Sequence, residues 1–466
     1  MTIMDDGLLR FRNSILNSKS ASFCGAKWGN STLWLGSGET SSCHLPPVHK
    51  IDPEQILLDP AKLHNTDHKI KMRQLMKDGH KPSECDYCWK IESMGTDYIS
   101  DRVFKSLQFG PEEMQEWFDK PADARIIPPT LEVMFDRTCN FACSYCNANF
   151  STTWERDIKK HGNYDLETSG GGAFKHDGTA NNCYEKTENP YIKAFWEWWP
   201  ELYQDLHTFR ITGGEPMMHK DTMKVLDYII ENPNPNRELK LAINSNLGAP
   251  DALIDKFIEK LKRIEDEERA SEIVIFTSCD TWGEQAEYIR TGLEFNRFWD
   301  HVNMILTQCP RVIITFMSTY NALSVFNYET LIHNVYGLKD AYASTDRYWN
   351  SAVFLDSSYL RYPLHQTVQV LPYDFAKYIL DQSKLITYYA APSFSPEHIG
   401  YSDVEVQKVK RIYDWMNAPQ DASQQMKNRY SFYQYFSNHD IRRGTDFVKT
   451  FPELEEFYNF CKTIKV

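Results

Sequence analysis

Leu131-Glu132-Val133-Met134-Phe135, followed after three residues by Cys139-Asn140-Phe141-Ala142-Cys143-Ser144-Tyr145-Cys146, is the stretch on which the reading of this chain turns. The Pro128–Pro129 pair stops regular structure just before it, and the apolar run from Leu131 to Phe135 predicts a β-strand. Three cysteines within eight residues then follow almost at once. Three thiolates so spaced wrap one face of an iron–sulfur cluster and leave the fourth iron without a protein ligand. A structural zinc site wants a fourth ligand that closes the tetrahedron. Here Asn147 comes next and no nearby Cys or His completes a set. On spacing alone, a zinc knuckle with a remote fourth ligand is the alternative.

Working outward, short apolar runs alternate with helical patterns as far as about Tyr359. The candidate strands are Leu131–Phe135, Thr208–Thr212, Leu239–Asn244, Ile273–Ser278, Val312–Met317 and Ala352–Leu355. Between the second and third, Met223, Leu226, Ile229 and Ile230 repeat at the spacing of one apolar helix face. Strands alternating with helices predict a parallel α/β architecture, and six of them suit a partial (β/α)6 barrel better than a closed eight-stranded one. Catalytic groups then belong at the C-terminal ends of the strands. The segment Thr168–Lys186, with Gly170, Gly171, Gly172 and Gly178, reads as a solvated insertion or an active-site lid.

Three regions result. Residues 1–125 form a Cys-rich module, irregular and rich in turn formers such as Gly36, Gly38, Pro46, Pro47 and Pro53. Residues 126–360 form the barrel. Residues 361–466 lose the strand pattern and carry helix-leaning aromatic stretches, Tyr373–Gln382 and Val404–Met416, so a mostly helical region is expected there.

The bulk numbers bound the function. A formal charge of −13 argues against general nucleic-acid binding, which needs a basic surface. The first twenty residues carry Asp5, Asp6, Arg10, Arg12 and Lys19 with no continuous apolar stretch, so they do not read as a signal peptide. With no run of eighteen apolar residues, a membrane span is not expected, and the chain reads as cytoplasmic. Eleven cysteines in a reducing compartment, an odd number, then point away from disulfides and toward metal. Cys183, Cys279, Cys309 and Cys461 stand alone and read as small buried hydrophobes.

The strand Thr208–Thr212 ends in Gly213-Gly214-Glu215-Pro216. A Gly pair there lets a ligand approach the backbone, and a carboxylate accepts from an ammonium. Together, CxxxCxxC after the first strand and Gly-Gly-Glu-Pro after the second resemble the radical S-adenosylmethionine (SAM) superfamily. The resemblance continues through Asn244–Gly248, Ser278-Cys279-Asp280, Tyr288-Ile289-Arg290 and Gly292, and more faintly to Thr319 and Asn321. It implies a 4Fe–4S cluster on Cys139, Cys143 and Cys146 whose open iron is chelated by SAM. Reduction then cleaves SAM to a 5′-deoxyadenosyl radical that abstracts hydrogen from a substrate. It further implies Tyr145 near the adenine, Gly213, Gly214 and Glu215 at the methionyl amino group, Ser278 near the ribose and Arg290 on the SAM carboxylate. On the residues alone, Ser278 and Arg290 read equally well as an ordinary strand end and a solvated charge.

Cys85-Asp86-Tyr87-Cys88 is a CxxC pair, with Cys24 and Cys43 upstream. Four thiols suit zinc or a complete second 4Fe–4S cluster, and spacing does not choose. His44 is a substitute ligand or a surface residue. The segment with Arg73, Gly79, Cys85, Cys88-Trp89, Glu92, Gly95, Ser100 and Arg102 resembles the twitch auxiliary-cluster module of radical SAM proteins, here ahead of the barrel rather than behind it. Asp440-Ile441-Arg442-Arg443-Gly444 and Phe451-Pro452-Glu453-Leu454 resemble that subgroup's closing segment. The resemblance implies a peptide, protein or small-molecule substrate and a reductant such as a flavodoxin or ferredoxin. The competing readings are a zinc-stabilised interaction protein and an iron–sulfur redox carrier, neither of which turns over SAM.

Overall fold

The computed structural model describes residues 3–166, 174, 188–233, 238–343, 351–391 and 399–465. Apart from Phe174, the glycine-rich segment Thr168–Lys186, with Cys183, lies outside the described residues. The chain divides into two compact units: Met1–Asp136, Asn181–Thr212 and Pro233–Lys240 in one, Arg137–Ala180, Gly213–Asn232 and Leu241–Val466 in the other.

In the first unit five strands lie in the order His49–Lys50, Glu39–Ser41, Asn30–Trp34, Thr130–Met134, Thr208–Thr212. The last three are parallel, with Leu33 opposite Val133 and Val133 opposite Ile211. Leu33, Leu131, Val133, Phe209 and Ile211 are all buried. The helix Pro190–Asp205 covers them; Asn189 caps it by accepting from the Tyr191 and Ile192 N–H groups, and Trp199 packs 4.8 Å from Phe209. The N-terminal region is more regular than its turn formers suggest. Asp67–Lys77, Asp86–Ser93, Asp101–Ser106 and Pro111–Asp119 are helices of eleven residues or fewer. Each is too short to show a sustained apolar period, and packing holds them instead. They share a core of Leu16, Phe23, Trp28, Met76, Trp89, Val103, Met114 and Trp117 that also takes in Cys24 and Cys88.

In the second unit Lys240–Ser245 (all but its first residue), Glu272–Ser278, Ile313–Tyr320 and Val353–Tyr359 lie side by side in chain order. Ile275 pairs with Ile314, and Phe316 with Leu355, both in parallel ladders. The helices Asp251–Asp266, Phe295–Gln308 and Tyr328–Ala341 make the crossovers that parallel strands require. All six expected strands are present, each within a few residues of its expected bounds. The chain is therefore α/β with largely parallel strands. The helix Lys220–Glu231 buries Leu226, Ile229 and Ile230 of the expected face, together with Val225, while Met223 is only half-buried.

The C-terminal region is helical as expected, through Ala376–Tyr388, Asp403–Met416, Ala422–Arg443 and Glu455–Thr463. Ser402 and Glu405 form a reciprocal capping box at the start of Asp403–Met416. The same carboxylate pairs with buried Lys339 at 3.0 Å and accepts from the Leu355 N–H at 2.8 Å. One side chain thus ties three elements together. Among the described residues no helix is long and apolar enough to cross a membrane.

Candidate functional site

The three cysteines sit on a loop held at both ends by its backbone. Ala142–Cys143 pairs antiparallel with Arg290–Thr291, with Cys143 opposite Arg290, and the Ser144 N–H donates to Ile289 O at 2.7 Å. The Trp154 indole N–H donates to Cys143 O at 2.9 Å and the Thr153 hydroxyl to Cys139 O at 2.6 Å. Two glycines allow neighbouring loops to close in. A Cβ on Gly214 would stand 2.4 Å from Thr138 O and 2.6 Å from Arg137 O, and one on Gly292 would stand 2.9 Å from Asn140 O. Gly292 also has φ +107°, which side chains resist.

The Gly-Gly-Glu loop meets the cysteine loop directly. The Glu215 N–H donates to Thr138 O at 2.7 Å. The Glu215 carboxylate is 1% exposed and accepts from the Ser245 hydroxyl at 2.9 Å, the Asn246 N–H at 2.6 Å and the Met217 N–H at 3.2 Å. Burial pushes its pKa up to about 7, with those three donors acting against the shift. Asn246 then donates to Asn140 Oδ1 at 2.9 Å, and Asn140 to Gly248 O at 2.7 Å. Three loops far apart in sequence are thereby locked into one surface, with Glu215 at their junction.

On the other side of the cysteine loop lies a buried ion pair. The Arg290 guanidinium meets Asp280 at 2.9 Å, and the Tyr145 hydroxyl donates to the same carboxylate at 2.8 Å, as does the Thr319 N–H. Arg290 also reaches Tyr145 Oη, and its Nη1 lies 3.4 Å from Cys143 Sγ. Ser278 ends its strand two residues before Asp280, half-buried. Burial raises all three thiols: Cys139 goes up to about 12, Cys146 rises further under its two neighbours, and at Cys143 the Arg290 charge opposes the rise.

The C-terminal segment clamps this assembly. The helix Ala422–Arg443 places Arg442 and Arg443 on Asp157 at 3.1 and 3.0 Å, and Arg443 also donates to Thr291 Oγ1 at 2.9 Å. The hydroxyl of Tyr435 donates to Ser144 O at 2.6 Å, alongside the Gln366 amide at 2.9 Å. Asp440 accepts from the Tyr288 hydroxyl at 2.8 Å. Asn140, Asp157, Thr291, Gln366 and Tyr435 carry no local signal that marks them for this site.

In the first unit Cys24, Cys43, Cys85 and Cys88 line one cavity, with Lys27, Trp89 and Arg102. His44 is not on that wall; its side chain is 74% exposed. Glu92 braces the cavity by accepting from Arg102 at 2.6 and 3.0 Å and from the Ser100 hydroxyl at 2.6 Å. Arg73, fully buried, donates to Lys27 O and Asn65 Oδ1. Of the residues that carry the twitch resemblance, Cys85, Cys88, Trp89 and Arg102 line the cavity, Glu92 and Ser100 brace it, and Arg73, Gly79 and Gly95 are not on its wall. Burial pushes Cys85 up to about 12 and Cys88 up to about 11.

Among the described residues no three or more His, Cys, Asp or Glu side chains come together closely enough to hold a metal ion. The donor chemistry nonetheless suits an anionic cluster at both places. One has three soft thiols with a cation on Cys143 and a buried, unpartnered Ser144 hydroxyl; the other has four thiols on one wall. No family model matches the chain, and no solved structure matches it.

Proposed function

We propose that the chain is a radical SAM enzyme, built on a partial (β/α)6 barrel, with an N-terminal module that carries a second iron–sulfur cluster. One observation carries this reading. The cysteine loop, the Gly-Gly-Glu loop and the Asn246 and Arg290 segments meet in a single hydrogen-bonded assembly. Cys139, Cys143 and Cys146 hold the first cluster and leave one iron for SAM. When bound and reduced, that cluster supplies the electron that cleaves SAM to methionine and a 5′-deoxyadenosyl radical.

The chain's own residues bind and orient. Glu215 takes the SAM ammonium on the one lone pair that Ser245, Asn246 and Met217 leave open, on Oε2, and Gly213 and Gly214 allow the close approach. Arg290, held by Asp280, offsets the charge of the Cys143 thiolate, and Tyr145 and Ser278 flank the nucleoside. The substrate in this reading is a peptide, a protein or a small molecule, and the reductant a flavodoxin or ferredoxin. The direct test is anaerobic reconstitution with iron, sulfide, reductant and SAM, read as 5′-deoxyadenosine. Colourless protein holding only zinc returns the chain to the interaction-protein reading, and iron without SAM cleavage makes it a redox carrier. Added lysate fractions separate the substrate classes: stimulation by the small-molecule fraction alone rejects a peptide.

Two outcomes follow here. Glu215→Gln should raise the SAM dissociation constant roughly tenfold or more, since a charged hydrogen bond contributes about 1.5–3 kcal/mol. Iron content measured in parallel should stay close to that of the unaltered protein; an unchanged SAM affinity moves Glu215 out of the site. Protein without the central cysteine triplet should still retain about four irons per chain on Cys24, Cys43, Cys85 and Cys88, by iron and sulfide assay. Zinc there instead makes the module structural.

A further inference from the structure

Lys27 lies in the short helix Ala26–Gly29, three residues after Cys24, and is 4% exposed. Its Nζ forms an ion pair with Glu84, the residue directly before Cys85. The other oxygen of that carboxylate takes His68 Nε2 at 2.6 Å, and the His68 ring packs 4.2 Å from His49. Lys27 lines the same cavity as the four cysteines, together with Asp101, Arg102 and Lys105. Two of those charges are engaged elsewhere: Arg102 by Glu92, and Lys105 by Asp101 at 3.3 Å. Lys27 shares its carboxylate with a histidine, and its charge is felt by the Cys85 and Cys24 sulfurs.

Four thiolates around a 4Fe–4S core leave a net negative charge of about two, which a cation held in the same buried cavity offsets. We propose that Lys27 is the buried counter-charge of a closed, four-thiolate iron–sulfur centre at Cys24, Cys43, Cys85 and Cys88, and that the Lys27–Glu84 pair sets its reduction potential. The inference rests on the cluster reading of these cysteines. With all four ligands supplied by the chain, no iron is open to a substrate, so the centre's role is to carry one electron. Reduction adds negative charge beside the ammonium, so the lysine favours the reduced state and the carboxylate opposes it.

The test uses the full chain with Cys139, Cys143 and Cys146 changed to Ala, so that the N-terminal centre is the only one. It is reconstituted with iron and sulfide and titrated with dithionite under EPR. Lys27→Met should shift the one-electron reduction equilibrium about tenfold toward the oxidised state, about 59 mV lower. Glu84→Gln should shift it the other way, and Lys27→Arg should stay near the unaltered value. Opposite signs from two partners of one pair are not what a merely structural role gives. If Lys27→Met misfolds because Glu84 is stranded, the Lys27→Met/Glu84→Gln pair removes both charges and should leave the potential near its starting value. Full iron content with an unmoved potential in both single variants overturns the inference and leaves the cluster reading standing. Zinc, or no metal, in the parent protein overturns the cluster reading and the inference with it.

Discussion

Alanine at any one of Cys139, Cys143 or Cys146 is expected to reduce 5′-deoxyadenosine formation to the level seen without enzyme. Two thiolates do not hold a cluster firmly, and no nearby Cys or His is on hand as a substitute. The loop itself should survive the change, because its ties are made by backbone atoms: Ser144 N–H to Ile289 O, Trp154 to Cys143 O, Glu215 N–H to Thr138 O. The thermal midpoint of the cofactor-free variant should therefore lie close to that of the cofactor-free parent. Loss of activity with an intact fold and retained N-terminal iron identifies the triplet as the seat of SAM cleavage. Undiminished 5′-deoxyadenosine from the triple variant would sink the proposal.

The largest effect on stability is expected at Asp280, whose side chain is completely buried. It accepts from Arg290, from the Tyr145 hydroxyl and from the Thr319 N–H. Asp280→Ala leaves a guanidinium buried without its counter-ion, which costs about 3–5 kcal/mol. At roughly 2–4 °C per kcal/mol for a domain of about 150–250 residues, the thermal midpoint should fall by about 10 °C. Replacing both partners, in Asp280→Ala/Arg290→Met, should recover much of the loss, because removing a whole buried pair is far milder than breaking it. Calorimetry of the cofactor-free proteins reads both. A single variant as stable as the parent means the pair is not buried as described.

Much of this molecule was legible locally. The six strands and most of one helix face, Leu226, Ile229 and Ile230, follow from apolar periodicity, which depends only on neighbours a few residues apart. The cysteine triplet and the Gly-Gly-Glu turn were equally plain, since ligand spacing and backbone permissiveness are written within eight residues. The strand Asn30–Trp34 escaped notice: a single strand among turn formers has no partner in view until Thr130–Met134 lies beside it. The short N-terminal helices escaped for a related reason, because a helix of six to eleven residues is held by what it packs on.

What tertiary structure alone decided is which charges meet. Arg290 looked like a solvated charge or a ligand for a carboxylate, and the fold gives it Asp280 and Cys143. Arg442 and Arg443 read only as part of a resembling closing segment, with no partner in view, until the fold brought Asp157, more than 280 residues earlier, within 3.1 Å. The N-terminal cysteines come from three separate stretches, Cys24, Cys43 and the Cys85–Cys88 pair, and the fold brings them to the wall of one cavity beside Lys27. Periodicity and turn chemistry act through bonded neighbours and survive in a single sequence. Ion pairs and shared cavities act through space between residues with no local relation, so they exist only once the chain has folded.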